Sequence, residues 1–288
     1  MIGEFLASWA LFHNTYLAGW LIALLLSLVG VLVVARDQIF IGAAISQAST
    51  LGIALGMWIG GQAVADAIPW LQSDRFLTTM AVTFSLIAAL MSSSGGEAGR
   101  ESHEAITGWV FLASASLSIL IVSHSPHGLE EIHRLLASSI IGASAADVWG
   151  FATLAGLTAM IFLATHRRLL LFVMDPAMAA AVGMHVSGWE ALISTWLGLA
   201  VGLSIRSSGM LYTFGCLVLP ALIAKNVCRE VRPMFFVAPV VAVGAGTIGF
   251  VLANHYDYPP AQMTVALLSL LLALAWRAHR RRRTGARP

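Results

Sequence analysis

Long apolar runs without charge, separated by short stretches that collect the charged residues, set the pattern of this chain. Nine such runs occur, at 15–35, 38–65, 76–92, 105–123, 148–165, 189–205, 208–224, 235–253 and 258–276. A hydrocarbon core takes about 20 apolar residues per helical crossing, so the pattern predicts an all-α polytopic membrane protein. The sixth run is the shortest and carries Glu190 at its edge, which leaves eight as the alternative to nine. Between the fifth and sixth runs lies Asp175 to Trp189, too short to span. There Pro176, an alanine run and then Gly183 predict a short helix with a defined start and stop. His166, Arg167 and Arg168 precede it, which places it on the inner surface. Ala177, Ala180, Ala181 and Gly183 are small enough to let another protein's backbone come close. The alternative is a plain amphipathic linker.

Composition points the same way. The 288 residues are 58% hydrophobic and 10% charged, against about 25% charged in a soluble domain. Cys216 sits in an apolar run and Cys228 beside a basic loop, which suits ordinary packing rather than a disulfide framework. The basic tail, Arg277 and Arg280 to Arg283 with Arg287, directly follows an apolar run. That favours an anchor at the inner leaflet over nucleic-acid binding. No Lys or Arg precedes Arg36, so no cleaved signal peptide is expected.

With the N-terminus outside, 13 of the 16 Lys and Arg fall inside: Arg36, Arg100, Arg167, Arg168, Lys225, Arg229, Arg232, Arg277, Arg280 to Arg283 and Arg287. Only Arg75, Arg134 and Arg206 fall outside. Positive charge collects on the cytoplasmic side, so the orientation is N-out and C-in. The inner loop from Ser93 to Glu101 is Gly/Ser-rich and charged, the composition of a mobile connection. The outer loop from His124 to Asp147 holds His124, His127, Glu130, Glu131 and His133, without a zinc-type spacing. A polar surface facing a partner accounts for them better than a metal site. Leu129, Ile132, Leu135, Leu136 and Ile140 recur at helical spacing and predict a short helix at the outer surface.

No phosphate-binding loop of the Gly-x-x-x-x-Gly-Lys-Ser/Thr type exists, since the only lysine, Lys225, follows Ala224. Any ATP chemistry belongs to another chain, and no cofactor is expected in this one. Proton-driven carriers and pumps need acids or histidines within their spans. These spans offer neutral groups instead: Ser46, Gln47, Ser49, Thr50, Ser85, Thr213 and Cys216. Met57, Met80, Met160 and Met210 have the spacing of core or lipid contacts rather than of soft metal ligands. Pro220 predicts a kink in the seventh run. Gly52 with Gly56, and Gly198 with Gly202, form Gly-x-x-x-Gly pairs that allow close helix crossing, within one bundle or between two copies. An intramembrane hydrolase with Ser144 as nucleophile and His255 as base is a remote alternative, because both fall at outer edges of the runs. A passive membrane scaffold would leave the inner surface helix without a purpose.

Four segments, in this order, carry a resemblance: Gly42 to Leu55, Asp175 to Gly183, Gly209 to Ala221 with its Leu-Pro-Ala ending, and Tyr256 to Pro260. Together they resemble the metal-type (zinc, manganese and iron) ABC transporter permeases, and more distantly the permeases for siderophores and vitamin B12, from Gly30 to about Trp276. The resemblance implies a fold like that of type II ABC importers and a single permease domain over 1–288, in the bacterial cytoplasmic (inner) membrane. Its cytoplasmic coupling segment would be 166–189 and its basic tail 277–288. Implied partners are two ATPase subunits inside, a second copy of the permease, an extracytoplasmic solute-binding protein and membrane lipid, but no nucleic acid. Asp175, Ala179, Val182 and Gly183 would transmit ATPase closure. Leu129, His133 and Leu136 would belong to a periplasmic gate helix, and Ala43, Ser46, Gln47, Thr50, Thr213 and Cys216 would line the translocation pathway. Family members usually carry Asp and His at the positions of Ala43 and Gln47. Both are missing here, so no metal ligand is assigned, and iron or a chelated metal is favoured over bare zinc or manganese, with a relocated metal site as the alternative.

The charge asymmetry makes a direct prediction. A tag at the C-terminus will be cytoplasmic and one inserted within 124–147 will be outside. A membrane-impermeant label that reaches the two in the opposite sense overturns the orientation.

Overall fold

A computed structural model describes residues 2–61, 68–93, 102–123 and 142–284. Nine α-helices account for most of them: α1 Ile2–Ala35, α2 Ile39–Gly60, α3 Asp74–Ser93, α4 His103–Ser123, α5 Ala145–Met174, α6 Pro176–Ala181, α7 Val186–Val227, α8 Val231–Tyr256 and α9 Pro260–Thr284. A single 3₁₀ turn at Pro69–Gln72 precedes α3. No strand occurs among the described residues, as expected where lipid offers the backbone no hydrogen bonds.

All of these helices except α6 are long and apolar enough to cross a membrane, eight in all among the described residues. The nine apolar runs map onto eight helices because the sixth and seventh join in the 42-residue α7. At about 1.5 Å per residue, that length is roughly twice a hydrocarbon core. Its one non-helical residue is Gly209, with φ 80 and ψ 168. The break therefore falls at Gly209 and not at Pro220, which stays in helical geometry. Proline forfeits one hydrogen bond but keeps a helical φ, whereas a positive φ is open to glycine at no steric cost. The first helix also exceeds its run, beginning at Ile2 rather than near Thr15. The added turns carry Phe5 and Trp9, whose rings lie against Tyr16, itself 5.5 Å from Phe250.

The chain divides into two compact units. The first takes its described residues from Met1–Gln38, Ser139–Met184 and Leu211–Pro288. Inside it, α1 runs parallel to the second half of α7. Tyr212 Oη donates to the Gly19 carbonyl at 3.0 Å, Gly30 lies against the Leu217 backbone, and Lys225 Nζ bonds Asp37 Oδ1 at 2.5 Å. The second takes its described residues from Ile39–Ser138 and His185–Met210. There α3 is gripped from two sides by glycine pairs. Gly52 and Gly56 of α2 face Met80 and Leu77, while Gly198 and Gly202 of α7 face Ser85, Leu86 and Val82. Ser85 Oγ donates to the Gly198 carbonyl at 2.7 Å and locks that crossing. Both Gly-x-x-x-Gly pairs are thus used within the chain.

The ion pairs agree with the orientation read from charge. Arg206 pairs with Asp74 and His255 with Glu4, four groups all assigned outside. Lys225 pairs with Asp37, both assigned inside. Arg36, also inside, lies 4.9 Å over the Phe172 ring.

A Cβ at Gly202 would stand 2.9 Å from the Val82 Cα, whereas one at Gly156 meets nothing within 4 Å. Gly202→Val is expected to lower the unfolding midpoint in detergent by at least about 3 °C, the effect of about 1–3 kcal/mol of overpacking. Gly156→Val should leave it unchanged or slightly raised. Equal midpoints for the two variants would show that the α3–α7 crossing is not close-packed.

Candidate functional site

The inner surface helix is built as its sequence predicts. Asp175 is the N-cap of α6, and its Oδ1 accepts from the Met178 N–H at 2.9 Å. Pro176 follows at the first helical position, where its missing N–H costs nothing. The helix ends with Gly183 at φ 83. Met184 N–H bonds the Ala179 carbonyl at 3.0 Å and Gly183 N–H the Ala180 carbonyl at 2.9 Å, the paired bonds of a Schellman termination. A Cβ at Gly183 would meet nothing within 4 Å. The glycine is therefore needed for its backbone conformation, and not for close packing within the chain.

Of the four residues assigned to coupling, Asp175, Val182 and Gly183 are exposed and Ala179 is buried. Ala179 anchors the helix to its own unit and leaves contact with any partner to its neighbours. Ala177, Ala180 and Ala181 are exposed. Beside them, Met174, Met178 and Val182 are 69%, 53% and 61% exposed. Sequence reasoning passed over Met174 and Met178, although Met178 and Val182 stand four residues apart. Large apolar side chains left bare on and beside a surface helix are the kind of feature that a protein partner covers.

The pathway candidates lie in both units. In α2, positions 41–54 are buried except Ala43 and Gln47. Four residues apart, these two share a face of the helix, and that face is partly accessible. Next to it, Thr50 Oγ1 donates to the Ser46 carbonyl at 3.0 Å, while the buried Ser46 and Ser49 hydroxyls have no hydrogen-bond partner among the described residues. Unpartnered buried hydroxyls are uncommon, because each costs about 1–3 kcal/mol. Thr213 and Cys216, in the first unit, are fully buried. No cluster of three or more His, Cys, Asp or Glu occurs among the described residues.

Leu129, His133 and Leu136 lie outside the described residues, as do the histidines and glutamates of that loop and most of the inner Gly/Ser segment. The two hydrolase candidates have structural employment. Ser144 caps α5 in a reciprocal box with Asp147, its Oγ donating to Oδ2 at 2.7 Å. His255 Nδ1 bonds Glu4 Oε2 at 2.7 Å.

Residues 8–278 match the family described as the ABC 3 transport family. The chain is 25% identical over 278 residues to the manganese import system permease protein ScaB of Streptococcus gordonii, covering 95% of this chain and 94% of that one. It is 24% identical over 234 residues to the chelated iron transport system membrane protein YfeD of Yersinia pestis, covering 81% and 74%. Among solved structures, PsaBC from Streptococcus pneumoniae in complex with a Fab superposes with a TM-score of 0.78 at 19% identity, covering 96% of this chain and 95% of that one. At that identity the likeness concerns the fold.

Asp175→Ala removes the cap of α6 and should cost about 1 kcal/mol locally. Amide exchange at Met178 is then expected to rise about fivefold, while Asp175→Asn stays near the native rate. Unchanged exchange in the alanine variant would show that the cap does not hold the helix.

Proposed function

The chain belongs to the ABC 3 transport family, and on that premise we propose that it is the membrane-spanning subunit of an ATP-driven importer whose cargo is iron or a chelated metal. It is a multi-pass protein of the bacterial inner membrane, and its family is one of permeases for metal import. Two ATPase subunits bind on the cytoplasmic side, a second copy completes the conduit, and an extracytoplasmic solute-binding protein delivers the cargo. The lack of a phosphate-binding loop supports a separate ATPase. The exposed α6, with Met178 and Val182 on its surface, supports its docking there. ATP-dependent closure of the ATPases, pushing on α6, drives alternating access.

One observation carries the choice of cargo: the partly accessible face of α2 bears Ala43 and Gln47. Asp and His on that face would offer a carboxylate and an imidazole to a cation shedding its water. A methyl group and a neutral amide balance no charge, and an uncompensated ion in low dielectric costs several kcal/mol. A chelate brings its own compensating ligands. The second reading is a zinc or manganese importer with a relocated metal site. It is favoured by the likeness to ScaB, whose name specifies manganese import.

The test is uptake by the complex reconstituted with its ATPase and binding protein. Chelated iron is expected to exceed free zinc and manganese by at least about tenfold, a difference of roughly 1.4 kcal/mol. Ala43→Asp with Gln47→His should raise uptake of the bare divalent metals. Efficient zinc or manganese uptake by the native complex, unchanged by the double substitution, would overturn the cargo assignment.

A further inference from the structure

In the first unit, α1, α5 and α8 enclose an open groove of about 480 Å³. Leu28, Phe162, Leu163, Phe235 and Phe236 line it, and Phe162 meets Phe235 edge-on with 5.6 Å between ring centroids. Leu163 and Phe236 are 74% and 76% exposed, so the groove opens sideways on the apolar surface of the unit. At one end the chemistry changes. His166 and Arg232 are the only polar side chains in the lining. His166 Nδ1 is held near the Leu163 carbonyl at 2.9 Å, which leaves Nε2 for an outside partner. Arg232 is exposed and has no carboxylate in salt-bridge contact among the described residues. It is the second residue of α8, whose N-cap Glu230 makes no side-chain bond to the first turn. The positive end of the helix dipole therefore adds to the arginine, against the single negative charge of Glu230. Arg167, Arg168 and Arg229 lie nearby in sequence, and all these cations fall on the side assigned to the cytoplasm.

We propose that this groove binds an anionic phospholipid of the inner leaflet, an acyl chain lying along Phe162, Leu163, Phe235 and Phe236 and the phosphate resting between Arg232 and His166. The volume is in the range of ordinary ligand sites. A basic rim at the cytoplasmic end of transmembrane helices matches an anionic headgroup, and the aromatic walls match the chain below it. A protein segment would match the apolar walls alone and leave Arg232 desolvated and unpaired. The proposal rests on membrane embedding and orientation, and it is independent of the cargo.

The purified permease, in nanodiscs of equal phosphatidylglycerol and phosphatidylcholine with identical chains, is released into mild detergent and weighed by native mass spectrometry. Phosphatidylglycerol should be retained over phosphatidylcholine. Arg232→Gln with His166→Gln should cut that preference by about fivefold or more, given about 1 kcal/mol per cationic group at the surface, and Ala159→Trp should fill the groove and remove the retained lipid. A photoreactive residue in place of Leu163, in an otherwise native chain assembled with its ATPase in the membrane, needs no destabilising change and should form adducts with lipid. Equal retention of the two lipids would reveal unspecific annular lipid only. Adducts at position 163 with a second copy or with an ATPase subunit would make the groove a protein interface. Either result overturns the proposal.

Discussion

A bilayer interior accepts a polypeptide only where each backbone N–H finds its acceptor within the protein, and this requirement shapes everything else in the molecule. It makes helix the default for all the long apolar runs and restricts departures to places where the backbone can be satisfied locally. Asp257, at φ 56, closes α8 with its N–H on the Ala253 carbonyl. Asp37, also at φ 56, turns the chain after α1 with its N–H on the Val34 carbonyl. Gly183 closes α6 with two bonds. Each of these three lies at a helix end, and the fourth positive-φ residue among those described, Gly209, breaks α7 in two.

Once helices are given, lipid provides little hydrophobic drive to press them together, and contact must come from shape. Glycine at the crossings supplies it. Gly52 and Gly56 on one side of α3 and Gly198 and Gly202 on another bring backbones into contact, and at such range a carbonyl such as that of Gly198 can accept from Ser85. Tyr212 performs the same service in the first unit by reaching the Gly19 carbonyl. Charges are kept to the helix ends, where they pair with partners on the same side: Arg206 with Asp74, Lys225 with Asp37, His255 with Glu4. Exposed pairs of this kind contribute at most about 1 kcal/mol each. Their value here is in register, since each can form only if two helices end at the same level.

Much of this was legible beforehand because it rests on local chemistry. Hydrophobic length marked the spans, and Asp175, Pro176 and Gly183 marked a helix that the structure reproduces within a residue or two. What was hidden depended on partners distant in sequence. Nothing local says that Gly209 rather than Pro220 breaks α7, because a proline advertises a kink and a glycine in an apolar run looks like packing. The early start of α1 goes with Phe5 packing on Tyr16, which in turn lies against the distant Phe250. Ala179 looked like its exposed alanine neighbours until its burial set it apart. The pathway candidates divide in the same way. Periodicity put Ala43 and Gln47 on one face of α2, and the structure adds that this face alone in positions 41–54 is partly accessible.

That face carries the main consequence for mechanism. A conduit for a divalent ion must replace hydration with ligands, and charge is the expensive part. The accessible residues of α2 are neutral, the hydroxyls of Ser46 and Ser49 are buried without partners among the described residues, and Thr213 and Cys216 are buried in the other unit. Neutral groups of this kind can hydrogen-bond a ligand shell but cannot offset two positive charges. Under the proposed function, selectivity is exercised before the cargo enters the membrane, by a solute-binding protein and by whatever ligands accompany the metal. On the same reading the permease would contribute a path of moderate polarity, and α6 the surface on which ATPase closure acts. Such a division would relax the demand for acids inside the spans.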